Sequence, residues 1–148
     1  MAEADAYQQA YQGAVRLLAM REHSRRELRN KLGRRFGEEV IEPVLAELEA
    51  QGLQSDRRFA EQYVHSRRSK GFGPLRISAE LSERGIDEEL IAAWLDQDDG
   101  QWRQLMLEVA RRKFGASPPQ DRREQARRGR FLSSRGFPGH LINDYLFS

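Results

Sequence analysis

The chain has 148 residues, of which 39% are hydrophobic and 32% charged, and its mean hydropathy is -0.79. This composition suffices for a folded core, and the length suits one domain or a short array of small units. No run approaches the roughly 20 apolar residues of a transmembrane helix. The opening residues lack a secretory signal, and there is no cysteine for disulfide or thiolate chemistry. We therefore expect a cytoplasmic protein with no membrane association.

The basic residues are unusual because nearly all of them are arginine, although they barely outnumber the acidic residues. The formal net charge is only +2, yet all but three of the 25 basic residues are arginine. The planar guanidinium suits phosphates, carboxylates and aromatic rings better than the lysine ammonium does. A GC-rich genome would also favour arginine, so arginine content alone does not decide the function.

An internal repeat organises the chain. An aromatic residue or Ile is followed five positions later by Ile, and the pattern recurs at intervals of 50 and 51 residues. This spacing is typical of a hydrophobic staple, in which the residue before a helix N-cap packs on the fourth residue of the helix. Each repeat is therefore expected to end in a stapled helix. The pairs are Phe36 with Ile41, Ile86 with Ile91, and Phe137 with Ile142.

The first predicted repeat covers residues 1–53 and contains three helices. A helical stripe runs from Tyr7 to Leu18, and Ser24 with Glu27 forms a capping box for the second helix. Gly52 is expected to end the third helix.

Two irregularities distinguish this first repeat. The connection before Phe36 is one residue shorter than its counterparts and lacks their glycine. Pro43 falls inside the third helix, where it should kink or delay that helix.

The second and third repeats, residues 54–98 and 99–148, follow the same plan. In the second, a helix breaks at Gly71-Phe72-Gly73, and Pro74 suits the first turn of the next helix. In the third, the helix containing Trp102 breaks after Gly115, before an arginine-rich helix. No alternating strand pattern appears. The predicted fold is all-α, with about nine helices in three tandem three-helix repeats forming an elongated array.

The charges follow the repeat, because the first two helices of each unit are basic and the third is acidic. Stacked repeats would align the basic helices into a stripe that binds a polyanion or an acidic groove. Ordinary solvated helix faces, with acids at helix N-termini, are the alternative. The predicted binding residues are Arg25, Arg26, Arg29, Arg67, Arg68, Lys70, Arg76, Arg123, Arg127 and Arg130.

The candidate catalytic and metal-binding motifs in the sequence do not match the patterns that such sites require. The glycine loop at 71–73 has Arg76 where a phosphate-binding loop needs its third glycine, and no strand precedes it. His23, His65 and His140 are scattered and fit surface or cap positions better than metal ligation. No serine sits in a nucleophile elbow. We expect no catalytic residue, no metal site and no cofactor.

The second repeat contains a distinctive set of residues: Ser55-Asp56, Phe59-Ala60-Glu61, Tyr63-Val64, Arg67, Gly71-Phe72-Gly73-Pro74, Arg76-Ile77, Glu80-Leu81 and Arg84-Gly85-Ile86. In these residues it resembles the RecX family of recombination regulators. Matches to Ser24-Arg25-Arg26-Glu27-Leu28, Arg130-Phe131-Leu132 and Arg135-Gly136-Phe137 extend the resemblance over nearly the whole chain.

The resemblance implies a monomeric, non-catalytic regulator that lies in the groove of the RecA filament on single-stranded DNA. Such proteins restrain RecA ATPase, strand exchange and coprotease activity, and bind single- and double-stranded DNA more weakly and without sequence preference. It also implies that Arg67, Lys70 and Arg76 contact the filament.

Three other functions are compatible with the residues alone. A stand-alone DNA-binding module would bind DNA with or without RecA, since arginine-rich three-helix units can resemble helix-turn-helix domains. A helical scaffold for unrelated proteins would show neither activity. An enzyme is the third possibility.

Overall fold

The computed structural model describes residues 2–95 and 99–147. Within these ranges the chain forms nine α-helices and no strand, which confirms the predicted fold class. The helices are α1 (Ala2–Met20), α2 (Arg25–Leu32), α3 (Glu38–Ala50), α4 (Asp56–Ser69), α5 (Pro74–Glu83), α6 (Glu88–Leu95), α7 (Asp99–Phe114), α8 (Arg122–Ser134) and α9 (Gly139–Phe147). We refer to α1–α3, α4–α6 and α7–α9 as repeats 1, 2 and 3. The predicted boundary at residue 98 lies outside the described residues.

Local signals begin and end these helices as expected. The capping box at Ser24 and Glu27 is present, and the Asp87 carboxylate accepts the Glu89 N–H at 3.0 Å. Gly52 ends α3 with φ +73°, a conformation that favours glycine.

Repeat 1 departs from two expectations. Pro43 does not delay α3, which already begins at Glu38, because helical backbone can form around a proline when one N–H bond is forgone. His23 is buried rather than on the surface, with its ring packed just before the α2 cap.

The buried apolar residues form two separate cores. The smaller core belongs to repeat 1 and contains Leu28, Leu45 and Leu48. The larger core runs without interruption through repeats 2 and 3, from Phe59 to Ile142. Repeats 2 and 3 therefore share one hydrophobic body, and repeat 1 has its own.

Polar contacts join repeat 1 to repeat 2. The Arg26 guanidinium donates to the carbonyls of Ser82 and Glu83 at 3.4 Å, and Arg58 pairs with Glu22 at 2.9 Å. Such partly exposed contacts contribute little individually. This junction is consequently held by directional bonds rather than by a shared core.

The junction between repeats 2 and 3 adds main-chain bonds. The N–H groups of Gly73 and Leu75 donate to the carbonyls of Arg135 and Gly136, at 2.8 and 3.0 Å. Gly136 has φ +97°, and a Cβ there would lie 2.4 Å from the Arg76 Cβ. Only glycine permits both the turn and the close approach.

The array is extended. Its accessible surface is 9384 Å², whereas a compact protein of 17.2 kDa would expose roughly 7,800 Å². No helix within the described residues is long and apolar enough to cross a membrane.

Candidate binding surface

The turn between α4 and α5 presents a ring surrounded by guanidinium groups. Phe72 lies between two buried glycines, of which Gly71 has φ +86°. The guanidinium carbons of Arg67, Arg76 and Arg135 lie 3.8, 4.3 and 4.7 Å from the ring centroid. These distances fall within the range of cation–π attraction. The turn therefore gathers cations from α4, from α5 and from the C-cap of α8 around one aromatic ring.

One carboxylate orients two of these cations. Glu80 accepts two bonds from Arg67, each of 2.8 Å, and one from Arg76 at 3.3 Å. It also accepts the Tyr63 hydroxyl at 3.0 Å. Burial alone would raise the pKa of Glu80, but the bonds from Arg67, Tyr63 and Arg76 hold that pKa below its ordinary value. The carboxylate thus stays ionised and locks both guanidinium planes.

The cations continue toward repeat 1. Arg84 lies over the Tyr63 ring at 4.8 Å and donates to the Glu80 carbonyl at 3.0 Å. Its guanidinium also approaches the Glu27 carboxylate at 3.8 Å. Arg84 therefore links the surface of repeat 2 to repeat 1.

In the other direction, the cations continue across repeat 3. Arg135 also lies 5.3 Å from the Phe131 ring, over which Lys113 sits at 5.4 Å. Phe131 meets Phe114 edge-on at 5.4 Å, and Arg127 lies 5.0 Å from Phe114. Shared contacts therefore connect the rings into one series. We call it the cation–aromatic ridge. Its rings are Tyr63, Phe72, Phe131 and Phe114. The cations that contact these rings are Arg67, Arg76, Arg84, Lys113, Arg127, Arg128 and Arg135, and we include Lys70 because its backbone carbonyl accepts a hydrogen bond from Arg135.

Arg128 fixes the far end of the ridge. Its side chain is only 3% exposed and pairs with Glu124 at 2.5 Å. It also donates to the Tyr145 hydroxyl at 2.8 Å and the Ser117 carbonyl at 2.9 Å. A hydrogen bond from Arg128 lowers the pKa of Glu124. Arg128 thereby ties the α7–α8 connection to α8 and α9 and supports the Phe114 ring.

The ridge carries a local excess of positive charge. The carboxylates that pair with it in the described part of the chain are Glu80, Glu124 and, at the longest distance, Glu27. Lys70, Lys113 and Arg127 are exposed and have no carboxylate partner in residues 2–95 and 99–147. Such a surface can bind an extended anionic partner without covalent chemistry. No group of His, Asp or Glu that could hold a metal occurs among the described residues.

The ridge unites only some of the residues that the sequence predicted. Arg67, Arg76 and Arg127 contact its rings, and the Lys70 carbonyl accepts a bond from Arg135 at 3.0 Å. Arg68 lies elsewhere, over the Trp102 ring at 4.7 Å. The remaining predicted residues lie outside the ridge: Arg25, Arg26, Arg29, Arg123 and Arg130.

In repeat 1 the predicted stripe is largely neutralised within the repeat. Arg25 pairs with Glu42 and, at 2.6 Å, with Glu49. Arg29 pairs with Glu38 at 3.1 Å and with Glu42 at 2.7 Å. The acidic face of α3 thus faces the basic face of α2. In repeat 1, the basic and acidic segments that are separate along the sequence are therefore neighbours in the fold.

Sequence reasoning did not select the four rings of the ridge or four of its cations, Arg84, Lys113, Arg128 and Arg135. A usable signal was present for two of them. Arg84 and Arg135 are 51 residues apart, and each directly precedes a glycine with positive φ, Gly85 or Gly136. Their recurrence at the repeat junctions marked them out. Phe72 and Lys113 had no such signal, because their role depends on rings and cations from other helices.

Three tandem three-helix units with a basic, ring-lined surface define a class of helical-repeat proteins suited to an extended anionic partner. Family models for the first, second and third three-helix domains of RecX match residues 10–48, 55–95 and 101–146. The chain belongs to the RecX family.

Individual relatives agree with this assignment. Regulatory protein RecX of Halorhodospira halophila is 45% identical over 144 residues, covering 96% of this chain and 89% of the relative. The protein of the same name from Chromohalobacter salexigens is 46% identical, covering 84% and 82%.

Solved structures show the same arrangement of helices. A crystal structure of regulatory protein RecX matches with a TM-score of 0.84 and 26% identity, covering 97% of this chain and 74% of the other. RecX from Lactobacillus salivarius matches with a TM-score of 0.81 at 23% identity, covering 97% and 96%, and shares the fold.

Proposed function

We propose that this protein is a non-catalytic regulator of homologous recombination and DNA repair that binds the RecA filament on single-stranded DNA. Binding inhibits or modulates RecA ATPase, strand exchange and coprotease activity. The protein acts as a cytoplasmic monomer, and it binds free single- and double-stranded DNA more weakly. The observation that carries the proposal is the cation–aromatic ridge, together with membership of the RecX family.

The ridge suits an extended partner rather than a small ligand. It crosses the junction between repeats 2 and 3, because Arg135, the C-cap residue of α8, lies 4.7 Å from the Phe72 ring of repeat 2. A filament groove presents many carboxylates and phosphates along its length. Preorganised guanidinium planes lose little conformational entropy when they bind such groups.

The decisive experiment measures DNA-stimulated RecA ATPase with increasing amounts of this protein. The test variant is Lys70→Ala/Lys113→Ala/Arg127→Ala, which removes exposed ridge cations without breaking an ion pair of the described residues. The matched control is Arg57→Ala/Arg111→Ala/Arg112→Ala, which removes the same charge from exposed arginines outside the ring contacts.

We expect the parent and the control to inhibit alike, and the test variant to need a concentration about tenfold higher. A folded test variant that inhibits as well as the parent would remove the ridge from the mechanism.

A stand-alone DNA-binding module is the second candidate, and the same arginine-rich ridge favours it. For that function, the test variant should lose affinity for bare DNA and for the filament equally, with the salt slope lowered by about one per lost phosphate contact. Preferential binding to the filament predicts a larger loss on RecA-coated DNA.

A further inference from the structure

A second cluster of cations lies in repeat 1, away from the ridge. Arg16 on α1, Lys31 on α2, and Arg34 and Arg35 in the α2–α3 connection line one cavity of about 450 Å³. All four side chains are exposed. No Asp or Glu among the described residues lines the cavity. Repeat 1 therefore contains a basic cavity with no internal counter-charge.

The absence of a carboxylate distinguishes these cations from their neighbours on α2. Arg25 and Arg29 each pair with carboxylates of α3. The side chains of Arg16 and Arg34, in contrast, make no hydrogen bond or ion pair with any residue in 2–95 or 99–147. Like charges around one cavity repel each other, and a bound anion would relieve that repulsion.

The wall of the cavity contributes neutral donors and a ring. Gln9 and Gln12 of α1 line it, and their amide groups can each donate two hydrogen bonds. Phe36 also lines it, with the Arg35 guanidinium carbon 5.3 Å from its ring centroid. Gly13 leaves room beside Leu32, since a Cβ there would reach the Leu32 side chain only at 3.8 Å.

Repeat 1 departs from the repeat pattern at a residue that lines the cavity. In repeats 2 and 3, the glycine before the staple residue packs against an arginine of the preceding repeat: Gly85 against Arg26, and Gly136 against Arg76. In repeat 1 the position directly before the staple residue Phe36 is occupied by Arg35 instead of glycine.

We propose that this cavity binds phosphate at the 5′ position of a nucleotide, either the triphosphate of a free nucleotide or the phosphorylated 5′ end of a nucleic acid. One guanidinium group can donate two parallel hydrogen bonds to the oxygens of one phosphate. The volume of the cavity also lies within the range of small-molecule sites. None of the four cations belongs to the cation–aromatic ridge, so this inference does not depend on the proposed function.

The test uses inorganic triphosphate as the probe, with the full chain and near-physiological salt. Calorimetry should show saturable 1:1 binding to the parent. Binding should weaken by at least about tenfold in Arg16→Gln/Arg34→Gln/Arg35→Gln, because several charge-assisted hydrogen bonds are lost. The control Arg57→Gln/Arg111→Gln/Arg112→Gln removes equal charge elsewhere and should stay within about twofold of the parent. Equal losses in the two variants, or no saturable binding by the parent, would overturn the site.

Two further arms complete the design. Arg16→Lys/Arg34→Lys/Arg35→Lys keeps the charge, and it should recover part of the affinity while melting like the parent. Bound triphosphate should also raise the Tm of the parent. If the triple-Gln variant melts at a lower temperature than the parent but still shows this rise in Tm, the cations are structural and the proposal fails.

ATP is then compared with short oligonucleotides bearing a 5′-phosphate or a 5′-hydroxyl. Preference for ATP or for the 5′-phosphate identifies the source, and equal binding of the two oligonucleotides without triphosphate binding contradicts the proposal.

Discussion

At the residue scale, the buried side chain of His23 makes the stability of the fold depend on pH. The His23 side chain is buried, its Nδ1 lies 3.0 Å from the Arg21 carbonyl, and its Nε2 lies 3.2 Å from the Lys31 Nζ. Nδ1 therefore carries the proton and donates, while Nε2 accepts from the ammonium. Burial lowers the pKa of His23, and the charges of Arg21 and Lys31 lower it further.

We predict that this histidine makes the protein less stable in mild acid. The unfolded chain binds a proton near pH 6.5, whereas folded His23 does so only at lower pH. The free energy of unfolding should therefore fall as pH drops below about 6.5. His23→Gln, which cannot titrate, should show a smaller fall. Urea unfolding of both proteins between pH 7.5 and 5 measures the difference, and parallel curves would contradict the assignment.

Glycine at the repeat 2–3 junction gives a second prediction at this scale. Gly136→Ala meets both a positive φ and a Cβ position 2.6 Å from the Arg76 backbone nitrogen. Gly115→Ala is the matched control, since Gly115 also has positive φ (+84°) but no atom within 4 Å of its Cβ position. The control should lose about 1–2 kcal/mol from conformation. Gly136→Ala should lose about 1–3 kcal/mol more from crowding. Equal losses in thermal unfolding would show that the junction yields easily.

At the element scale, α4 and α5 sort their basic residues into two kinds. Arg67 and Glu80 have side chains only 18% and 19% exposed, and they form a two-bond ion pair. Lys70, at the end of α4, is exposed. Arg67 therefore packs against Tyr63 and Phe72, whereas Lys70 is peripheral.

We accordingly predict that Arg67→Ala lowers the stability and Lys70→Ala does not. Removing Arg67 leaves a half-buried carboxylate with weaker compensation, at a cost of about 1–3 kcal/mol. Arg67→Ala/Glu80→Ala should recover part of that loss, because no unpaired charge remains. Melting temperatures of the variants give the comparison. Indistinguishable melting of Arg67→Ala and Lys70→Ala would mean that the pair is energetically neutral.

At the scale of the whole molecule, the two cores make two folding units. Leu28 belongs to the core of repeat 1, and Leu132 to the core shared by repeats 2 and 3. Both side chains are fully buried. Because the two cores share no buried apolar residue, we expect cooperativity between the units to depend on the polar junction.

Amide hydrogen exchange tests this division. Leu28→Ala should cost about 2–5 kcal/mol and lower the protection of α1–α3 alone. Leu132→Ala should cost a similar amount and lower protection in α4–α6 as well as in α7–α9. Loss of protection spread evenly over α1–α9 in Leu28→Ala would instead indicate one cooperative unit.

The sequence by itself determined the helices, the repeat and the family. Staples, capping residues and glycines act over a few residues, so their spacing suffices to predict local structure. It did not determine which arginines remain available to a partner. Arg25 and Glu49 are 24 residues apart in the chain, Arg67 and Glu80 are 13 apart, and their pairing depends on how helices pack. The tertiary structure alone decided this, because electrostatic attraction and cation–π contact depend on distance in space. The ridge, the neutralised face of α2 and the basic cavity of repeat 1 follow from that packing.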